Sequence, residues 1–437
     1  MKDFGEYLSV ETEQFVPQTT KQSFKTKELP TKHGNVKYKT DTRQETIPEL
    51  LDRASRLGGE GHAFFAVDLG EVVRRIEKWR ALLPRVEPFY AMKCNNNVTM
   101  LKTLVELGVS FDCASKEEMA TALKLGVEPS NIIFANPCKP IPFIKYAEYN
   151  EVEMMTFDNE DELLKISEHY PNAKMVLRIL TDDSRSVCRF GAKFGASFET
   201  AKQLLKRGQE LGMNIMGVSF HVGSGCFDPT AFSDAVQVAK SVFDEAEKLG
   251  MKLSLLDLGG GFPGLDGIDG APFEDVAACL RESLDIHFPE TSNVRIIAEP
   301  GRYVAAAAFT LAVCIQARRV IKPKDENEKP SYMYYVNDGV YGSFNCLIFD
   351  HAKIFPRVLR LGGDFQLGQN ELGENFETSL WGPTCDSMDC ISKKESLPEL
   401  NIGDWLYFEN MGAYTLAAAT TFNGIPQANL YFTNTEA

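Results

Sequence analysis

The chain reads as an α/β protein: a parallel (β/α)8 barrel of the TIM type followed by an antiparallel β-sheet domain. Three observations predict this. Eight short apolar, β-rich runs lie in series between residues 88 and 299. Stretches with apolar residues at three-to-four spacing separate them. After Tyr303 this rhythm stops, and short runs spaced by Gly, Pro and Asn take over.

The first 50 or so residues are polar, rich in Lys, Thr and Gln, and without strong periodicity. A mobile start is expected, with one or two strands near VKYKT. The eight runs are PFYAMKC (88–94), VSFDCA (109–114), NIIFAN (131–136), EMMTFD (153–158), MVLRIL (175–180), MGVSFHV (216–222), LSLLDL (253–258) and VRIIAE (294–299). Patterns such as KEEMATALKLG (116–126) and ETAKQLLKRGQELG (199–212) supply helices between them. Continuous apolar strands joined by helices imply a parallel sheet buried on both faces. An open doubly wound sheet is the alternative, but a count of eight favours closure. YVAAAAFTLAVCIQA (303–317) is shorter than a membrane span requires and reads as buried core. YMYYVND (332–338) and DWLYFEN (404–410) read as strands of the second domain. The expected division is 1–60, a mobile segment whose later part joins the β domain; 61–305, the barrel; and 306–437, the β domain.

The 437 residues exceed most single compact domains, and 44% hydrophobic content allows a large core. A net charge of −15 argues against nucleic acid and anionic membranes as partners. MKDFGEYLSVETEQF has no apolar core of a secretory signal, so a cytoplasmic chain with ten reduced cysteines is expected. No CxxC, HExxH or HxxxH pattern occurs, so no metal site is expected.

Chemistry in such barrels sits at the carboxyl ends of the strands. The first run ends in Lys93, the second in Asp112, the fifth in Arg178 and the sixth in His221 before Gly223-Ser224-Gly225. The seventh enters GGGFPG, and the eighth ends in Glu299 before Pro300-Gly301-Arg302. A lysine, an imidazole, a glycine loop, a carboxylate and an arginine together suit pyridoxal 5′-phosphate. Lys93 can form a Schiff base with the aldehyde, its pKa lowered by desolvation. Gly259, Gly260 and Gly261 let backbone N–H groups approach a phosphate, and Arg302 adds charge. Glu299 suits the pyridine nitrogen, and the flat ring of His221 suits stacking on the cofactor. Taken singly, each has a plainer reading: a solvated lysine, an ordinary βα turn, a core histidine.

The chain resembles the eukaryotic-type ornithine decarboxylases, pyridoxal phosphate enzymes with an alanine-racemase-like barrel. The matching strings include FYAMKCN (89–95), FDCASKEE (111–118), ANPCK (135–139), FHVGSGC (220–226), LDLGGGFPG (256–264), AEPGRY (298–303), YVNDGVYGSFNCLIFDH (335–351), WGPTCDSMD (381–389) and ENMGAYT (409–415). They span nearly everything from about residue 60 to 425. The resemblance implies that Lys93 is the Schiff-base lysine and that His221 stacks on the ring. It implies that Ser224, Gly261 and Glu299-Pro300-Gly301-Arg302 hold the cofactor, with Tyr414 at the phosphate and Asp112 and Glu118 near the lysine. Arg178, Gly259 and Gly260 are counted with the cofactor set. It further implies an obligate homodimer with shared sites. Cys385, the proton donor, and Asp386 cross to the partner, while Phe349 and Asp350 end the segment that reads substrate length. Asp386 beside Cys385 is expected to keep the thiol protonated. The implied reaction converts L-ornithine to putrescine.

Two departures stand out. Ser387-Met388 replaces the Gly-Leu common in the family, and the chain stops at TNTEA, so tail-driven turnover is not expected. The alternatives are a lysine or lysine/ornithine decarboxylase of the same family, and an inactive homologue that binds a regulatory protein. An arginine or a diaminopimelate enzyme on the same scaffold is a further alternative, and Asp386 argues against the latter, which resembles CES rather than CDS after the cysteine. A racemase is disfavoured by a carboxylate at the ring nitrogen.

Overall fold

The computed structural model describes residues 45–57, 61–265, 270–323, 325, 328–369 and 371–436, together with the two short strands Glu28–Thr31 and Gly34–Lys37. All eight predicted runs form strands of one closed parallel barrel: Val86–Ala91, Ser110–Cys113, Ile132–Phe134, Met154–Phe157, Lys174–Arg178, Asn214–Ser219, Leu255–Asp257 and Arg295–Ala298. The ring closes where Ile296 pairs with Val86 and Ala298 with Pro88. Phe89, Ile133, Met154, Val176, Leu255 and Ile297 form a cluster of their own, separate from the main core, as expected of side chains that fill a barrel interior.

Local chemistry sets the helix starts. Asn97 caps Val98–Glu106 by accepting from Thr99 N–H and Met100 N–H, so the NVT triplet is a helix start. Ser115, Asn159 and Ser197 cap Lys116–Lys124, Glu160–His169 and Phe198–Glu210 in the same way. Each cap lies just past the carboxyl end of a strand or its loop, so the helices turn back along the outside of the barrel. No helix among the described residues is long and apolar enough to cross a membrane.

The second domain is built on the long strand Phe309–Ile321, which grows out of the buried alanine stretch. Its first half pairs antiparallel with Trp405–Phe408 and Phe64–Asp68, and its second half with Ser331–Val336. Most pairings in this sheet are antiparallel. Two are parallel: Ser331–Val336 with Asn375–Trp381, and Asn429–Thr433 with Phe64–Asp68.

Two expectations change. Phe64–Asp68 falls in the span assigned to the barrel, yet it sits in the β domain between Phe309–Ile321 and Asn429–Thr433. The barrel layer starts with the helix Leu69–Leu82, capped by Asp68. The reason is that all five residues, FFAVD, are buried and need partners on both edges, which the barrel, already closed by eight strands, does not offer. Among the described residues, the N-terminal segment adds no strand to that sheet: Glu28–Thr31 and Gly34–Lys37 pair with each other. Instead the helix Ile47–Arg56 packs Leu50, Leu51 and Ala54 against Phe64, Leu359, Trp405 and Tyr407. The expected mobile start lies outside the described residues.

Phe64 is fully buried, with its ring 5.4 Å from Trp405 and 5.6 Å from Tyr431. Phe64→Ala should cost about 3–5 kcal/mol and lower the thermal midpoint measured by calorimetry. An unchanged midpoint would refute the role given to this strand.

Candidate active site

A cavity of about 440 Å³ opens at the carboxyl ends of the barrel strands. Lys93, Arg178, His221, Ser224, Glu299, Phe349, Asp350 and Tyr414 line it. The structure thus brings together side chains from the first, fifth, sixth and eighth strands and from the β domain.

Lys93 lies on the short turn Met92–Cys94 that ends the first strand, and its ammonium pairs with Asp112 of the second. Burial alone would lower this ammonium's pKa. The Asp112 carboxylate, with Glu299 and Tyr414, outweighs burial, and the net direction is upward. The expected desolvation-softened lysine is therefore replaced by a charge-paired one. Glu118 sits behind, where its carboxylate accepts from Ala114 N–H at 2.6 Å.

His221 is half-buried and its Nδ1 accepts from Gly223 N–H at 3.0 Å. Burial, aided by nearby Arg178 and Lys93, pushes its pKa well below the ordinary imidazole range, so the ring is neutral. The glycine run lies behind this ring and lines neither this cavity nor its smaller neighbour. A Cβ on Gly259 would stand 1.9 Å from the Phe220 carbonyl oxygen, and one on Gly260 would stand 2.7 Å from His221 Nε2. Packing against the sixth strand therefore requires these glycines, independently of any ligand. Pro300 and Gly301 are also absent from the lining. Pro300 C=O accepts from Ala91 N–H at 3.1 Å, and Gly301 packs on Cys94, so both brace the Lys93 turn.

Glu299 is buried, and its Oε1 has no hydrogen-bond partner. Burial, reinforced by Asp112 and Asp257, pushes its pKa well above the usual carboxylate range. Burial also pushes Asp257 up, to about 7, although Glu299 hydrogen-bonds to it and Gly259 N–H donates to it at 2.9 Å. Two carboxyls facing each other in a dry site retain a proton between them. Sequence reading missed Asp257. Its signal was the acid two residues before the glycine run, on the same strand end.

Arg302 donates to both oxygens of Asp350, at 2.6 and 2.7 Å, and to Ser224 Oγ at 2.9 Å. The Tyr414 ring lies 5.2 Å from its guanidinium carbon. Tyr414 has φ 55 and is held by its N–H to Cys94 C=O at 2.9 Å, which ties the β domain to the residue after Lys93. Sequence reading assigned Arg302 and Asp350 to different ligands and missed that they pair. It also missed Asn136, Phe190 and Phe194 in the wall, and buried Lys139, whose ammonium donates to Asn136 C=O at 3.0 Å and pairs with Glu162.

Cys385 and Asp386 are not in this cavity. Both sit on a turn at the surface of the β domain, where Cys385 N–H donates to Asn423 at 2.9 Å and Cys385 is exposed. Met388 N–H and the Tyr341 hydroxyl bind the Asp386 carboxylate and lower its pKa. Buried Asp389 shapes the turn by accepting from Thr384 N–H at 3.0 Å and Val340 N–H at 2.8 Å.

Residues 69–306 match the family model described as pyridoxal-dependent decarboxylase, pyridoxal binding domain. Ornithine decarboxylase of Rattus norvegicus is 49% identical over 398 residues, covering 90% of this chain and 84% of its own. Antizyme inhibitor 2 of Xenopus laevis is likewise 49% identical, over 397 residues, with the same coverage. The Paramecium bursaria Chlorella virus arginine decarboxylase, solved with agmatine, superposes with a TM-score of 0.81 at 36% identity, covering 88% of this chain and all of that one. The chain belongs to the pyridoxal-dependent decarboxylase family, among the relatives of ornithine decarboxylase.

Proposed function

We propose that this chain decarboxylates L-ornithine to putrescine, as a homodimer whose subunits complete each other's sites. One observation carries the reading: a single cavity holds the Lys93 amine, the partnerless Glu299 Oε1, and a guanidinium–hydroxyl pair at its edge. These groups fit pyridoxal 5′-phosphate. Lys93 suits its aldehyde, Glu299 its ring nitrogen, and Arg302, Ser224 and Tyr414 its phosphate. When bound, the cofactor supplies an aldehyde that condenses with amines and a protonated ring that accepts the electrons left as CO2 departs.

The protein's own groups have separable tasks. Asp112 holds Lys93 cationic at rest and stands ready to take its proton. Glu299 carries a proton that it can present at Oε1 to the ring nitrogen, which relieves its repulsion with Asp257 and Asp112. Neutral His221 offers a flat face without adding charge. Asp350 and Asp386 suit the distal ammonium of ornithine. Cys385 suits delivery of a proton to the substrate α-carbon. Cys385 and Asp386 stand outside their own subunit's cavity, so both tasks call for a second copy. Exposed Met388 on the same turn, and Phe422 packed on Tyr341, supply apolar surface for it to cover.

The frog antizyme inhibitor 2 relative favours one second reading, a binding protein without turnover. Product analysis separates the two. With cofactor added, the chain should release putrescine from ornithine, and kcat/KM for lysine should be lower by about 10–200-fold. Lys93→Ala should lose turnover and the visible absorbance of bound cofactor. No diamine from the parent chain would favour the binding protein, and a preference for lysine would overturn the substrate.

Cys385→Ala should still release CO2 but divert product towards an aldehyde, as read by chromatography of the products. Mixing Lys93→Ala with Cys385→Ala subunits should restore putrescine formation. Failure of that mixture would count against shared sites.

The raised carboxyl pKa values set a pH dependence. Folded Glu299 and Asp257 keep a proton that the unfolded chain sheds near its ordinary values of 4.5 and 3.8. The contribution of this pair to stability is therefore fully present below those ordinary values and is lost as pH rises through the folded pKa values. The thermal midpoint of the cofactor-free chain should drop between about pH 5 and about pH 8, and Glu299→Gln should flatten the profile. Equal slopes in the two proteins would contradict the proton-sharing pair.

A further inference from the structure

Arg302 and Asp350 are committed to each other. Both oxygens of Asp350 accept from Arg302, and the two side chains are only 12% and 7% exposed. The pair stands at the border of two spaces. Asp350 and Ser224 line the cavity that holds Lys93, and the same two residues with Arg302, His351 and Lys353 line a second pocket of about 190 Å³. The function proposed above sends Arg302 to the cofactor phosphate and Asp350 to the substrate's distal ammonium. Each task competes with the bidentate pair, which engages Nη1 and Nη2 of Arg302 and both Asp350 oxygens and leaves only Arg302 Nε without a partner.

Breaking a buried ion pair on one side alone leaves an uncompensated charge. An anion on Arg302 strands Asp350, and a cation on Asp350 strands Arg302. When both ligands bind, neither charge is left alone. We propose that Arg302 and Asp350 exchange partners together, so that the cofactor phosphate and a diamine bind this site with positive coupling. The inference rests on the proposed function and adds an order to it: phosphate on Arg302 makes Asp350 available to the amine. By linkage, the phosphate must tighten diamine binding by the factor by which the diamine tightens phosphate binding.

The test uses the full chain and ligands that do not react with each other. Pyridoxine 5′-phosphate keeps the ring and phosphate but lacks the aldehyde, and pyridoxine lacks the phosphate as well. Calorimetric titration with 1,4-diaminobutane should give a Kd about tenfold lower when pyridoxine 5′-phosphate is saturating, and no such change with pyridoxine. Asp350→Asn, which frees Arg302, should bind pyridoxine 5′-phosphate more tightly than the parent and lose the coupling; Asp350→Glu should keep it. Independent binding of the two ligands in the parent chain would overturn the proposal, as would an Asp350→Asn variant that binds pyridoxine 5′-phosphate no more tightly. The parent-chain arm needs no variant to fold. If the parent chain takes up no pyridoxal 5′-phosphate, the proposed function fails and the inference fails with it. Uptake without coupling sinks the inference alone.

Discussion

Everything at this site depends on closure of the barrel by pairing of its eighth strand with its first. The hydrogen bonds that align Arg295–Ala298 with Val86–Ala91, continued by Ala91 N–H to Pro300 C=O, hold the Lys93 turn against the segment after Glu299. Residues far apart in the chain thereby share one mouth. The β domain adds a second clamp at the same place, through Tyr414 N–H to Cys94 C=O. Parallel strands make this arrangement general: every strand delivers its last residue to the same end, so one closure positions a whole constellation.

Once gathered there, the charges have to be balanced against one another. Lys93 takes Asp112, Arg302 takes Asp350, and Lys139 takes Glu162. Asp257 and Glu299 have no cation of their own and respond by holding a proton. The site is therefore a set of matched pairs with two acids left over, each with one buried oxygen that has no hydrogen-bond partner. A ligand bringing an aldehyde, a ring nitrogen and a phosphate addresses one unit of this arrangement with each group. That correspondence, more than any single residue, ties the geometry to the family's chemistry.

The glycines illustrate how one sequence signal can have two causes. GGG after the seventh strand reads as a phosphate loop, yet Gly259 and Gly260 are already required by the Phe220 carbonyl and the His221 ring. The neutral, fixed imidazole is a product of this packing. A side chain at residue 260 would displace the ring.

By itself the sequence determined the architecture and part of the site. Eight apolar runs with helices between them specify a closed parallel barrel, because local periodicity and burial on both faces leave few other solutions. It also placed Lys93, His221 and Glu299 at strand ends, since that follows from where each run stops. Only the tertiary structure decided which charges meet. The transfer of Phe64–Asp68 to the β domain, the Arg302–Asp350 pair, the upward rather than downward shift of Lys93, and the surface position of Cys385 all depend on neighbours remote in sequence. Periodicity reports which face of an element is apolar. It carries no information about the distance between two side chains on different elements, and Coulomb interactions and edge pairing depend on that distance.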